Sequence, residues 1–199
     1  MKRVAIVNGA ARQVKYNKYL TQKYGEIGYT AKEFTFNPAL LFSCHLHKYL
    51  GKTVDDIIHN YDVIHCESGG YFPVIHTYLD QKCNKPFILE CPVLKASTGT
   101  LLAGLNLSKT YDVKDNTVVQ KLLDTFSFTP EWTSKTLTAL QQLKDSNQAL
   151  ILASSADRVA DNRGQEHLFH HHFEKGAHGR LFFDNDFEIV KHYIDKHLK

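Results

Sequence analysis

The stretch Asp62-Val-Ile-His-Cys-Glu-Ser68-Gly-Gly-Tyr-Phe72 decides how this chain is expected to fold. An apolar run that favours a β-strand ends at Ser68, two glycines follow at once, and a helical pattern begins after them. A serine on such a sharp strand-to-helix turn is held in a strained backbone conformation with its hydroxyl exposed. Its neighbours must be small, because the strand and the helix approach each other closely there. We therefore predict a strand, a tight turn and a helix, with Ser68 on the turn.

Apolar runs and helical patterns alternate on both sides of this stretch. This alternation predicts an α/β domain with a mostly parallel sheet of about six strands and helices on both faces. Most runs are apolar along their whole length, which is typical of strands covered on both faces. The predicted strands are Val4–Val7, Ala31–Phe36, Val63–Cys66, Pro86–Cys91, Leu150–Ala153 and Leu168–Phe173. The predicted helices are Tyr16–Tyr24, Val54–Asn60, Phe72–Lys82 and Phe187–Leu198, the last with Asn185 as its cap.

Residues 93–147 interrupt the alternation, because they carry two helical patterns and no strand signal. The first pattern covers Thr117–Phe126. The second begins at Thr129-Pro130, where a threonine cap followed by proline in the first helical turn is a good start signal. Its apolar face consists of Trp132, Leu137, Leu140 and Leu143. We predict one domain over residues 1–199, with residues 93–147 as a helical cap insertion over one edge of the sheet.

The composition is that of an ordinary globular protein, with 43% hydrophobic residues, 23% charged residues and only 5 prolines in 199 positions. It excludes a disordered or collagen-like chain. The apolar runs are far shorter than the roughly 20 residues of a membrane helix, so no membrane span is expected. The N-terminal apolar run favours a strand over a signal peptide. The net charge is +3 and the basic residues are scattered without interleaved aromatics, so a nucleic-acid groove is not indicated.

Cysteine and histidine patterns bear on location and cofactors. The four cysteines have no CxxC spacing and no secretory context, which predicts reduced thiols in a cytoplasmic protein; they are Cys44, Cys66, Cys83 and Cys91. Four histidines cluster near the last predicted strand, at positions 167, 170, 171 and 172. His170 and His172 would share a strand face, but no carboxylate or cysteine stands at a ligand spacing from them. We interpret them as solvated or strand-edge residues and expect no metal or other cofactor.

The turn at Ser68 resembles the nucleophile elbow of the α/β-hydrolase superfamily. The usual pattern there is Gly-x-Ser-x-Gly, and this chain reads Cys66-Glu67-Ser68-Gly69-Gly70. The resemblance implies that Ser68 is a nucleophile and that the Gly69 amide donates to an oxyanion. Two alternatives stay open: a plain strand-to-helix turn with serine as a helix cap, or Cys66 as the nucleophile, as in thiol-elbow amidotransferase-like folds. The latter folds want glycine two residues to either side of the cysteine, where this chain has Ile64 and Ser68.

The resemblance also implies the order serine, aspartate, histidine for the partners of the nucleophile. Asp157 follows the predicted strand near 150–153 and resembles the family's acid, with Asp161 in the same loop as the fallback. His178 lies in a small-residue loop before the last helix and resembles the family's base. Each follows the carboxyl end of a strand, where open α/β sheets form their sites.

The first strand ends in Val7-Asn8-Gly9-Ala10-Ala11-Arg12, which resembles the family's His-Gly-x turn with asparagine for histidine. By position, Ala10 would supply the second oxyanion-hole N–H. The chain has no GxGxxG or GxxxxGK motif, so nucleotide binding is not indicated. Since the chain begins at the strand that the family usually numbers third, the resemblance implies a trimmed form of that fold.

The implied function is a serine hydrolase that cleaves a carboxylic ester or thioester of a small acyl substrate through an acyl-enzyme on Ser68. Apolar residues of the insertion could roof an acyl pocket or simply pack it against the sheet; they include Leu101, Leu102, Leu105 and Trp132. Glu67 could tune the site, contact substrate or pair with a cation. The alternative function is a non-catalytic binding protein that keeps the hydrolase fold.

Overall fold

The structure is a computed structural model that describes most of the chain. The described residues are 1–9, 14–41, 43–94, 129–155, 157, 160, 162, 164–175, 178, 180–183 and 186–198. Several sequence predictions lie outside them: the helix Thr117–Phe126, the leucines at 101, 102 and 105, the oxyanion donor Ala10, the fallback acid Asp161 and the cap Asn185.

Within the described residues, six parallel strands form one sheet in the order β2-β1-β3-β4-β5-β6. The strands are β1 Lys2–Asn8, β2 Tyr29–Thr35, β3 Val63–Glu67, β4 Phe87–Glu90, β5 Ala149–Ser154 and β6 His171–Phe173. The predicted α/β fold with a parallel sheet is confirmed.

The last strand is shorter than the sequence indicated. Residues Glu166–Leu168 form a 3₁₀ turn, and β6 begins only at His171. Leu168, in this turn, and Phe169, directly after it, are buried in the core without belonging to the sheet. Their apolar side chains therefore resemble the start of a strand in the sequence.

The helices α1 Val14–Glu26, α3 Gly51–Asn60, α4 Phe72–Asp80 and α6 Glu188–His197 correspond to the four predicted outside the insertion. The short helix α2 Pro38–Leu41 and the 3₁₀ segment Cys44–Leu50 were not predicted. They are too short to show a helical period, and they are anchored by the buried side chains of Leu41 and Leu50. No helix among the described residues is long and apolar enough to cross a membrane.

Helices cover both faces of the sheet. Alternate side chains of β1 show this division, since Ala5 and Val7 belong to one apolar cluster and Val4 and Ile6 to the other. The first cluster is completed by buried residues of α3 and α4, and the second by buried residues of α1 and α6. The strands are buried on both sides, which is why they read as continuous apolar runs.

The described part of the 93–147 segment contains helix α5, Pro130–Asp145. As predicted, Thr129 caps it: the threonine hydroxyl accepts a 3.2 Å hydrogen bond from the Trp132 backbone N–H. Leu140 and Leu143 are buried in the apolar cluster that also contains residues of α3 and α4. Helix α5, which lies between β4 and β5 along the chain, therefore packs on the same face of the sheet as α3 and α4. Trp132 packs edge-on against Phe72 of α4, with ring centroids 5.3 Å apart.

Candidate active site

The turn after β3 holds Ser68 in the conformation expected of it. Its φ is 53°, in the left-handed region that a residue with a Cβ seldom adopts, so the backbone there is strained. Two glycines make room for the turn. A Cβ at Gly9 would lie 2.7 Å from the Ser68 Cβ, and a Cβ at Gly70 would overlap the carbonyl oxygen of Val7. The predicted requirement for small residues therefore holds at Gly70, and Gly9, directly after β1, adds a second position of this kind.

Sheet topology places this turn where the strand order reverses. The chain passes from β1 to β2 on one side and returns to β3 on the other, so the strand order reverses at β1. In open α/β sheets, ligands bind at the carboxyl ends of the strands that flank such a reversal. Gly9 follows β1 and Ser68 follows β3, so both lie at this edge.

Ser68, His178 and Asp157 form one chain of hydrogen bonds. The Ser68 Oγ lies 2.7 Å from His178 Nε2, and His178 Nδ1 lies 2.8 Å from Asp157 Oδ2. When Nδ1 carries the proton and donates it to the carboxylate, Nε2 is free to accept from the serine hydroxyl. The side chains of His178 and Asp157 are 16% and 5% exposed, which leaves the imidazole accessible and the carboxylate shielded.

Local contacts fix the carboxylate. Asp157 Oδ1 accepts a 3.1 Å hydrogen bond from the Ala160 backbone N–H, while the Asp157 N–H donates to the Ser154 carbonyl at the end of β5. Both oxygens of the carboxylate thus have partners, and the oxygen facing His178 is held in place.

The other predicted site residues have different outcomes. Gly69 is buried in the first turn of the helical segment that begins at Ser68. First-turn N–H groups lack a partner inside their own helix, which suits the Gly69 amide as an oxyanion donor.

Cys66 is buried in the apolar cluster beside α4, and burial raises the pKa of its thiol. A buried, protonated thiol is a poor nucleophile, so the geometry favours Ser68 over Cys66.

A buried polar network beneath the site was missed by the sequence analysis. Glu90 at the end of β4 accepts from the Tyr16 hydroxyl at 2.5 Å and from the Leu181 backbone N–H at 2.7 Å. Its other oxygen lies 3.1 Å from His65 Nε2, and His65 Nδ1 lies 2.7 Å from the Tyr24 hydroxyl. Leu181 is close in sequence to His178, so this network ties the segment that follows the histidine to the sheet. Polar residues inside apolar strands, His65 and Glu90, were the available signal.

A second polar group fixes the end of β1. Asn8 is buried. Its side-chain Nδ2 donates to the Thr35 hydroxyl at 2.9 Å, and its side-chain Oδ1 accepts from Asn17 Nδ2 at 2.7 Å. Asn17 also donates to Glu33 at 2.8 Å. The asparagine that stands where the resembling turn has histidine is thus a structural link between β1, β2 and α1.

Glu67, next to Ser68, is buried, and its Oε1 has no hydrogen-bond partner among the described residues. Burial, reinforced by the Glu90 and Glu33 carboxylates, raises the pKa of Glu67 well above its usual range. Glu67 therefore stays protonated to a higher pH than an ordinary surface glutamate.

The histidines near β6 do not converge on three metal-capable donors within the described residues. His171 and His172 are exposed, and His170 Nδ1 accepts a 3.1 Å hydrogen bond from the Ile151 N–H. Burial lowers the pKa of His170. These contacts agree with the interpretation of the cluster as strand-edge residues.

Among solved structures, the chain is similar to the ydeN gene product from B. subtilis. The two are 13% identical, the match covers 98% of this chain and 100% of that chain, and the TM-score is 0.57. At this identity the likeness concerns the fold alone, a parallel sheet with helices on both faces. No family model matches the sequence, and no curated protein matches it.

Proposed function

We propose that this protein is a serine hydrolase in which Ser68 is the nucleophile, His178 the general base and Asp157 the acid that orients the base. The pair of hydrogen bonds that joins these three side chains carries the proposal. Ser68 and His178 are 110 positions apart in the chain, yet their side-chain atoms are 2.7 Å apart. A serine that merely capped a helix would need no such partner.

The first half of the reaction forms an acyl-enzyme. Ser68 Oγ attacks the acyl carbon while its proton passes to His178 Nε2, and Asp157 stabilises the imidazolium that forms. The Gly69 N–H donates to the oxyanion of the tetrahedral intermediate, and Ala10 is the proposed second donor. Removal of one such donor typically costs about 3–4 kcal/mol of transition-state stabilisation.

The second half releases the acyl group. It starts once the tetrahedral intermediate has collapsed to the acyl-enzyme: the bond from the acyl carbon to the alcohol oxygen or thiol sulfur has broken, and the imidazolium has given its proton to that leaving group. His178 then takes a proton from water as the water oxygen attacks the acyl carbon. The carbon–Oγ bond breaks, the proton returns to Ser68, and a carboxylic acid leaves. We propose a small carboxylic ester or thioester as the substrate. A cytoplasmic location is proposed from the cysteine pattern alone.

Labelling with a fluorophosphonate tests the proposal directly. We expect the wild type to form an adduct that peptide mass spectrometry locates on Ser68, and we expect Ser68→Ala to form none. Ser134→Ala removes an exposed serine of α5 and is the matched control. His178→Ala should also abolish turnover of an activated ester while circular dichroism shows an intact fold.

An unlabelled, folded wild type would contradict the proposal. It would favour the non-catalytic binding protein, and iodoacetamide would then test Cys66. Wild-type rates in Ser68→Ala or His178→Ala would equally rule out the assigned roles.

A further inference from the structure

Cys91 lies beside the proposed catalytic residues but has no part in their chemistry. It follows β4 directly, it is fully buried, and its φ is 47°. Its backbone N–H donates a 2.8 Å hydrogen bond to the Leu152 carbonyl of β5. Since β4 lies between β3, which ends before Ser68, and β5, which ends before Asp157, Cys91 stands between these two strand ends and is held to β5 by this hydrogen bond.

Three metal-capable donors meet at this point. The Cys91 Sγ, a carboxylate oxygen of Asp157 and a ring nitrogen of His178 all lie within 4.8 Å of one another. Ligands of a tetrahedral Zn²⁺ stand about 2.0–2.3 Å from the metal, hence about 3.5 Å from one another. Side-chain shifts of about 1 Å would bring the three donors to that spacing.

The donor set selects the kind of ion. Thiolate, imidazole and carboxylate together suit Zn²⁺ or the softer Cd²⁺, whereas Mg²⁺ and Ca²⁺ prefer oxygen ligands alone. Binding would release the thiol proton, since the thiolate is the ligand. Three protein ligands would leave a fourth position for water or for a serine oxygen.

We propose that Cys91, Asp157 and His178 form an inhibitory site for a thiophilic divalent cation, Zn²⁺ or Cd²⁺. His178 has two ring nitrogens, and each makes one hydrogen bond, to Ser68 or to Asp157. Whichever nitrogen binds the ion, one of these hydrogen bonds is lost. The bound ion thus breaks either the hydrogen bond between Ser68 and His178 or the one between His178 and Asp157.

Cd²⁺ alone, added to the folded protein, provides the binding test, because its thiolate complexes have an ultraviolet charge-transfer band that histidine-only sites lack. We expect one Cd²⁺ per chain with this band, and an affinity more than about 100-fold lower in Cys91→Ser, since loss of an outer-shell partner already costs about 10–100-fold. Cys44→Ser and Cys83→Ser remove half-buried cysteines elsewhere and should keep the band.

The inhibition test rests on the proposed function, while the binding test does not. Cd²⁺ should slow fluorophosphonate labelling of the wild type and of Cys83→Ser, and should leave the labelling rate of Cys91→Ser nearly unchanged. If Cys91→Ser does not fold, Asp157→Asn replaces it in the binding test, with an expected loss of affinity above about tenfold.

The two proposals fail in different ways. No labelling without Cd²⁺ refutes the hydrolase, and the charge-transfer band still decides the metal site. Absence of the band in the wild type, or an unchanged band in Cys91→Ser, overturns the metal site. Tight binding that does not slow labelling overturns its inhibitory role.

Discussion

Replacement of Gly70 by alanine should damage both the fold and the site. Gly70 follows the turn of Ser68, and its missing side chain is where the backbone of β1 passes. An added Cβ would overlap the Val7 carbonyl oxygen and would lie 2.9 Å from the Asn8 carbonyl oxygen. The positive-φ glycines among the described residues are Gly28 and Gly164, so Gly70 is needed for space and not for its φ.

Overpacking of a well-packed interior typically costs about 1–3 kcal/mol. The atoms in the way of this Cβ are backbone atoms of a central strand, which no side-chain rotation can move. We therefore expect a loss near the upper end, about 3 kcal/mol of unfolding free energy. With a urea m-value of about 2–3 kcal/mol/M, the unfolding midpoint should fall by about 1 M. Displacement of Ser68 by about 1 Å would add a loss of about 100-fold in activity.

Urea unfolding followed by circular dichroism measures the first effect, and hydrolysis of an activated ester measures the second. Gly25→Ala is the matched control, because a Cβ at Gly25 in α1 has nothing within 4 Å. Alanine should stabilise that helix by up to about 1 kcal/mol. A Gly70→Ala variant whose unfolding free energy lies within about 0.5 kcal/mol of the wild type would refute the packing argument.

The raised pKa of Glu67 and the hydrogen bond between Ser68 and His178 each lead to a testable prediction. In the unfolded chain the carboxyl of Glu67 ionises near its ordinary pKa of 4.5, whereas in the folded chain burial keeps it protonated to higher pH. The free energy of unfolding of the wild type therefore falls as pH rises through this interval. Glu67→Gln has no such ionisation, so its free energy of unfolding relative to the wild type, measured by urea unfolding, should be greater at pH 7 than at pH 4. The exposed Glu131→Gln is the control, and a pH-independent difference for Glu67→Gln would contradict the assignment. Ester hydrolysis should be lost in His178→Ala, because alanine cannot accept the Ser68 proton. Wild-type rates in that folded variant would exclude a histidine base.

Much of the architecture was accessible from the sequence, because doubly covered strands must be apolar throughout and helices must show a period of 3.6. The strand-to-helix turn at Ser68 could also be predicted, since its geometry requires small neighbouring residues. Apolar character predicted a strand wrongly at Leu168 and Phe169, which are buried but lie in and just after a 3₁₀ turn. Periodicity records that a residue is buried, but not which partner covers it.

The resemblance to the α/β-hydrolase superfamily implied the order of Ser68, Asp157 and His178 along the chain. That the three lie at one edge of the sheet was predictable because the carboxyl ends of parallel strands meet there. The distances between them were not, since they depend on how β3, β5 and β6 are arranged in the sheet. The polar residues His65 and Glu90 inside apolar strands hinted at a buried network, but their partners could not be read from the sequence, since Tyr16 and Glu90 are 74 positions apart.

The sequence by itself determined an α/β domain and the strand-to-helix turn at Ser68, because these follow from local backbone geometry and burial patterns. The candidates at 157 and 178 came from the resemblance of the chain to the α/β-hydrolase superfamily. Only the tertiary structure decided that Cys66 is enclosed in the core while Cys91 lies beside His178, and that Glu67 is buried near two other carboxylates. Reactivity and protonation depend on solvent access and on neighbouring charges. Both are properties of the folded chain, in which residues far apart in sequence share one low-dielectric environment.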